Sequence, residues 1–221
     1  MTTQTKDYKG LPMEGPIARW YAKNAVQGRK DEFEQAAQAV TANLPPGSAI
    51  LEVAPGPGYL AIVLARSGQY HVSGLDISRT FVAFERQNAL EAGVPVDFHL
   101  GSASQMPFGD SQFDRVVCQA AFKNFTRPVD ALDEMRRVLR PGGKAVIFDL
   151  NAETSQADIN REVEHMGLNP LNAFFTRITF KFVLLKSAYT PERFAQLVAR
   201  SQFKACVIQP EGIGMAVWLT K

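Results

Sequence analysis

The stretch "AILEVAPGPGYLAIVLARSG", Ala49 to Gly68, runs from an apolar segment rich in Ile and Val, through a turn of two prolines and two glycines, into a segment with helical spacing. A strand buried on both faces and followed at once by a helix is the opening unit of an α/β fold. Gly56 and Gly58 stand where strand gives way to helix. Lacking a Cβ, they let a ligand lie directly against the backbone, and the first N–H groups of the helix beyond are unpaired and carry partial positive charge. Ala61 and Ala65 are small enough to seat this helix closely on a sheet. The turn is therefore expected to be a ligand cradle at the carboxyl end of a strand, where open α/β sheets bind their ligands.

The same alternation continues downstream. Strands are predicted at 49–54, 71–76, 96–100, 114–119 and 144–150, with helices over 58–67, 79–92 and 128–140 between them. Runs such as "RVVCQAA" and "AVIFDL" are continuously apolar, as strands of a helix-covered parallel sheet must be. In 128–140 Pro128 suits a first turn, Asp130, Asp133 and Glu134 lie early, Arg136, Arg137 and Arg140 lie late, and "PGG" at 141–143 ends the helix. Beyond Leu150 the rhythm changes. A polar helix is expected at 155–166, an apolar segment at 168–187 and another helix at 190–201. "FKACVIQP" and "GMAVWLTK" then read as an antiparallel hairpin closing one sheet edge. The expected fold is α/β: a doubly wound, mostly parallel seven-stranded, Rossmann-like sheet ending in that hairpin. Residues 1–44, with helical spacing from Ile17 to Asn43 broken near Gly28, are expected to form an N-terminal helical cap; 45–221 would be one domain with a lid-like helical insertion at about 151–189, the whole one structural unit.

Composition narrows the function. The chain has 221 residues, 46% hydrophobic and 21% charged, which suits one soluble globular domain. A net charge of +2 supplies no clustered cations to replace the counterions of a nucleic acid, so no nucleic-acid partner is expected. Cys118 and Cys206 have no Cys or His at ligand spacing, which excludes a zinc site or disulfide framework and makes a reducing cytoplasm the expected compartment. The first thirty residues lack a signal-type apolar core and no run of 18 apolar residues occurs, so neither export nor stable membrane insertion is expected. His71, His99 and His165 have no partner at metal spacing and read as structural or surface residues; no metal is expected. A homodimer is compatible with the sequence.

Asp76 ends the second predicted strand in "SGLDIS", 18 residues beyond Gly58. A carboxylate held at a strand tip can accept both hydroxyls of a ribose; Ser78 is the better N-cap for the helix that follows. Two cofactor classes use such an acid, and "GPGYLA" also fits the dinucleotide pattern G-x-G-x-x-A.

The rest of the chain separates them. Glu52 before the turn, "GSASQMPFGDSQFDRVVCQAAF" at 101–122 and "ALDEMRRVLRPGGKAVIFDL" at 131–150 together resemble class I S-adenosylmethionine-dependent methyltransferases, over about residues 45–150. The terminal hairpin fits that family too. Its first motif is an acid followed by alternating glycines, and Glu52, Ala54, Gly56 and Gly58 occupy those four places; Ala54 departs by one methyl. The resemblance implies that the turn holds the methionine part of S-adenosylmethionine and that Asp76, beside Ile77, holds its ribose. Relatives commonly carry Gly-Asp-Ala after the third strand, with the Asp on the adenine amino group; here Gly101, Ser102 and Ala103 stand there, so the charge is missing. Met106 would wall the purine or be plain core. Gln119, ending the fourth strand, would face the methionine portion and the transferable methyl. "CQAAFKNF" lacks the Asn/Asp-Pro-Pro-aromatic motif of enzymes that methylate adenine or glutamine nitrogen.

Methyl transfer from a sulfonium is an in-line displacement, for which alignment supplies much of the acceleration and no side-chain nucleophile is required. The acceptor site should be roofed by the parts outside the shared core. "IARWYAKNA" combines Arg19, Trp20, Tyr21 and Lys23 and resembles the N-terminal helix of quinone-type C-methyltransferases, where a tyrosine lies over the cofactor; the resemblance implies that role for Tyr21, against ordinary helix packing. Trp20, Phe122 and Lys123 are the expected acceptor contacts, Lys123 either holding an anionic acceptor or merely solvated. "NAFFTRITFKFVLLK", 172–186, reads as core or a lid whose Phe174 and Phe175 would line a pocket for a small, partly apolar or aromatic substrate. The expected function is methyl transfer to such a molecule at O, N, S or C. Two alternatives stay open: a nicotinamide-dependent oxidoreductase using the same turn, although no Tyr-x-x-x-Lys pair is evident, and a non-catalytic module that binds the cofactor or a partner.

Overall fold

The structure, a computed structural model, describes residues 7–9, 13–24, 30–167, 169–180 and 184–221. Its centre is a seven-stranded sheet in the order β3-β2-β1-β4-β5-β7-β6. Strands β1 (Ala49–Val53), β2 (His71–Asp76), β3 (Asp97–Leu100), β4 (Phe113–Gln119) and β5 (Leu139–Leu150) run parallel. The edge is closed by β6 (Val207–Glu211) and β7 (Gly214–Thr220), both paired antiparallel. The hairpin is thus where the sequence places it, but β6 starts at Val207 instead of Phe203. The order reverses beside β1, the point at which open α/β sheets form a crevice at the carboxyl ends of their strands.

Period-two alternation sends the strands' side chains to opposite layers. Ile50, Val72, Val117 and Val146 face helices α2 (Lys30–Thr41), α3 (Tyr59–Arg66) and α4 (Arg79–Ala92). Leu51, Leu75, Val116, Cys118 and Ile147 face α5 (Pro128–Val138) and α9 (Pro191–Arg200). Helix α1 (Gly15–Asn24) packs on α4. The helices α6 (Gln156–His165), α7 (Pro170–Thr179) and α8 (Leu185–Ser187) follow β5, and Ile159, Val163, Ala173 and Phe180 form a small core of their own there.

Two local readings need correction. Helix α5 stops at Val138, and Leu139 already pairs with Phe113; "PGG" lies inside β5, where the register shifts between Phe113 and Arg115. The expected helix ran on to residue 140, but the sheet pairing of Leu139 with Phe113 overrides helix propensity. After β4, Phe122–Asn124 form a 3-10 turn that the periodicity did not reveal. Among the described residues no helix is long and apolar enough to cross a membrane, and no cluster of His, Cys, Asp and Glu could hold a metal ion.

Candidate functional site

The glycine turn is built as a left-handed corner. Ala54, Gly56 and Gly58 have φ of 57°, 60° and 82°, and the Ala54 N–H donates to the Leu75 carbonyl at 2.7 Å. At Ala54 a residue with a Cβ is therefore held in a conformation costing about 1–2 kcal/mol. Ala120, just past β4, has φ of 58° and shares the strain. Two strained non-glycine residues thus flank the crevice, which is where such strain tends to be kept. Gly58 is the N-cap of α3, and a Cβ there would stand 3.2 Å from Glu85 Cγ and from Phe98 Cζ. Gly58→Ala is expected to cost about 2 kcal/mol by denaturant unfolding, combining backbone strain with overpacking. An unchanged midpoint would mean that the corner relaxes freely.

Asp76 is buried at the tip of β2. Its Oδ2 accepts from the Gly56 N–H at 3.2 Å and its Oδ1 from the Ser78 N–H at 2.8 Å, so one carboxylate braces both the turn and the start of α4. Ser78 caps α4 through the Phe81 N–H, as expected. Burial pushes Asp76 up to about 7 against the opposing pull of these amides. Glu52 points to the same face of the sheet. Burial pushes it up to about 8, partly offset by the Ala61 N–H at the start of α3, and its Oε2 has no partner.

A third carboxyl, absent from the sequence reading, lies beneath the turn. Glu85 of α4 is fully buried and both its oxygens lack partners; burial, reinforced by Asp76 and Glu52, raises it to about 10. Gln119 donates to Glu32 Oε1 at 2.9 Å, while its own Oε1 is buried and unpartnered. Between β1, β2 and β4 the structure thus gathers buried carboxyl and amide oxygens that have no protein partner.

The other expected residues fall into two groups. Tyr21 comes within 4.0 Å of where a Cβ on Gly56 would stand and meets Phe81 edge to face at 5.9 Å, which sets α1 against the turn. Ile77 and Ala103 are half-buried, and the Ser102 hydroxyl donates to Asp7 Oδ2 at 2.5 Å. Met106 packs into the main core with Leu75 and Phe113, its N–H held by Glu134.

The acceptor contacts are placed differently. Phe122 has no exposed surface and packs on Phe125, Tyr189 and Phe194, so it is core and not a pocket wall. Lys123 is neither solvated nor offered to an anion. Its ammonium is buried, 2.8 Å from Asp149 Oδ1 and 2.7 Å from the Ala120 carbonyl, while its own N–H donates to Asp149 Oδ2. Trp20 and Phe174 are 69% and 57% exposed; the Phe175 side chain lies outside the described residues. Tyr189, which the sequence did not single out, lies half-buried beside Phe122, with the Lys9 ammonium 5.8 Å from its ring centre. His99 is held by Asp97 at 2.8 Å and packs on Phe108, and His71 and His165 are exposed. Cys118 and Cys206 are unpaired.

This strand order, with a glycine corner and an acid at the next strand tip, defines a class I methyltransferase architecture. Residues 51–147 match the family described as "Methyltransferase domain". Over 114 residues it is 35% identical to a ubiquinone/menaquinone biosynthesis C-methyltransferase of Cupriavidus pinatubonensis, covering 50% of this chain and 46% of that one. Over 101 residues it is 37% identical to a demethylmenaquinone methyltransferase of Deinococcus radiodurans, covering 45% and 42%. The matched stretch thus spans less than half of either relative. A putative S-adenosyl-L-methionine-dependent methyltransferase of Methanococcus maripaludis superposes with a TM-score of 0.77 at 17% identity, covering 100% and 97% of the two chains. A [4+2]-cyclase shares the fold at a TM-score of 0.56 and 19% identity, over 86% and 80% of the chains, so the fold alone does not define the chemistry.

Proposed function

We propose that the protein transfers a methyl group from S-adenosylmethionine to a small, partly apolar or aromatic molecule. The observation that carries this reading is the pairing of the buried Asp76 carboxylate with the Gly56 N–H, beside the unpartnered Glu52 Oε2 and Gln119 Oε1. The cofactor presents donors and positive charge: a ribose diol, an α-ammonium and a sulfonium. The crevice supplies acceptors in excess of its own donors, so the two fit. Asp76 would take the ribose hydroxyls, since a carboxylate has about four acceptor positions and the neighbouring amides do not exhaust them. Glu52 and Gln119 would take the ammonium, and the glycine corner would lie against the methionine part, with Ile77, Ser102 and Ala103 toward the base. Tyr21 would cover the crevice from α1.

When bound, this cofactor supplies an electrophilic methyl group on sulfur. What the chain must add is alignment and exclusion of water, and no side chain is singled out as a general base. We assign residues 1–44 and 151–189 to covering the acceptor, on a main domain running from 45 to 221. The quinone ring named in the two relatives belongs to those proteins. The stretch matched to the family, 51–147, contains neither covering segment, so the acceptor would be chosen by parts outside that match. We favour a ring compound because Trp20 and Phe174 are exposed aromatic groups on those two parts, and a reducing cytoplasm because both cysteines are free.

Calorimetric titration with S-adenosylhomocysteine and with NAD(P)H tests the reading. Binding of the former is expected, and Asp76→Ala should weaken it on the order of 100-fold, since two charge-assisted hydrogen bonds are lost. Melting of the variant controls for the turn it braces. Exclusive nicotinamide binding would overturn the proposal, and tight binding without turnover on phenols, amines, thiols or quinols would favour a non-catalytic module.

A further inference from the structure

Residues Asp7–Lys9 cross the crevice end of the sheet as a short strap. Tyr8 bridges antiparallel to Phe125, the Lys9 N–H donates to the Asn124 carbonyl at 2.7 Å, and the Thr126 N–H donates to the Asp7 carbonyl at 3.3 Å. This sets the Asp7 carboxylate between the exits of β3 and β4. Ser102 Oγ and Arg127 Nη2 donate to its Oδ2 at 2.5 and 2.8 Å, and Arg127 Nε donates to its Oδ1 at 3.1 Å. The Arg127 hydrogen bond holds the carboxyl below the usual range, so it is ionised and accepts only. Three of about four acceptor positions are filled, and one on Oδ1 remains.

The place of that vacancy follows from the sheet order, and the argument rests on the function proposed above. With the ribose at Asp76, β1 and β4 flank it on one side with the unpartnered acceptors of Glu52 and Gln119, the end suited to an ammonium. On the other side lies β3, whose exit is tied to Asp76 by the Gly101 N–H at 2.9 Å from the Asp76 carbonyl. The nucleoside base therefore extends toward Gly101–Ala103. Ser102 has already spent its hydroxyl hydrogen on Asp7, and its oxygen accepts from the Ser104 N–H. The charged acceptor at this end comes from 95 residues away.

We propose that Asp7, and no residue of the β3 exit loop, accepts the exocyclic amino group of the cofactor's purine, making the protein selective for a 6-amino over a 6-oxo purine. Titrating the full chain with S-adenosylhomocysteine and with S-inosylhomocysteine reads this directly. The wild type should prefer the adenosyl compound by about 10- to 100-fold, because the 6-oxo group turns a lone pair toward the carboxylate. In Asp7→Asn the side-chain amide can rotate to donate to that oxygen, and the preference should fall below about threefold. Adding Ser102→Asp to Asp7→Asn should restore it by returning a carboxylate from the loop. Equal losses for both compounds in Asp7→Asn, or a wild type that binds both alike, would overturn the assignment and leave the proposed function standing. A wild type that binds neither would overturn both.

Discussion

Lys123→Ala is expected to lower stability by about 3–5 kcal/mol, the cost of leaving a buried charge without its partner. The Lys123 and Asp149 side chains are 7% and 2% exposed and 2.8 Å apart. Asp149 also accepts the N–H groups of Lys123 and Leu150, so its carboxylate is locked where β5 ends and cannot turn toward water. Without the ammonium, the charge remains in place against Phe122, Tyr189 and the main core. Lys123→Met combined with Asp149→Asn should recover most of the loss, since the pair's charges disappear together while an amide oxygen still accepts the residue 123 N–H. Urea unfolding measures both. A single variant within about 0.5 kcal/mol of wild type would show that water reaches Asp149, and that this end of the crevice is wetter than its packing implies.

Stability is expected to fall as pH rises from about 5 toward 10. The cause is the trio of buried carboxyls facing α3 and α4. In the folded chain Asp76, Glu52 and Glu85 are raised to about 7, 8 and 10, from ordinary values of 3.8, 4.5 and 4.5, chiefly by burial. Between its two values each group holds a proton when folded and has lost it when unfolded. The native state then binds more protons, and raising the pH draws the equilibrium toward the unfolded chain by up to about 1.4 kcal/mol per pH unit per group. This stability is complete below about pH 4 and lost as each folded value is passed: first Asp76, then Glu52, with Glu85 alone titrating above pH 8. Glu85→Gln keeps the volume and removes the titration. It should stabilise by about 3 kcal/mol at pH 7 and flatten the curve between pH 8 and 10. Denaturant unfolding across this range is decisive: a wild-type curve rising with pH would show that the carboxyls are ionised and solvated.

Much of the cofactor crevice was legible locally. Gly56, Gly58, Asp76 and Ser78 lie on one strand-turn-helix-strand unit, and each does its work within about 20 residues of the next. Their roles follow from backbone rules: no Cβ at a left-handed corner, an acceptor at a strand tip, an oxygen before a helix. Likewise, the gap at 211–213 between two strand-like runs announced the terminal hairpin. Lys123 was misread because a lysine following a strand is ordinarily solvated, and nothing nearby in the sequence names Asp149 as its partner. Phe122 was misread for the complementary reason: an aromatic beside a strand end can wall a pocket or plug the core, and only α9 packing over it with Phe194 decides.

Residue order alone thus determined the parallel α/β sheet, its edge hairpin and the acid at the tip of β2, because hydrophobic period and turn chemistry act between near neighbours. Tertiary structure decided which charges meet: Glu85 beneath the corner, Lys123 on Asp149, and Asp7 on Ser102 and Arg127. Those pairings depend on loops closing over 26 to 120 residues, where the chain's folding and not its local pattern sets the distance between side chains.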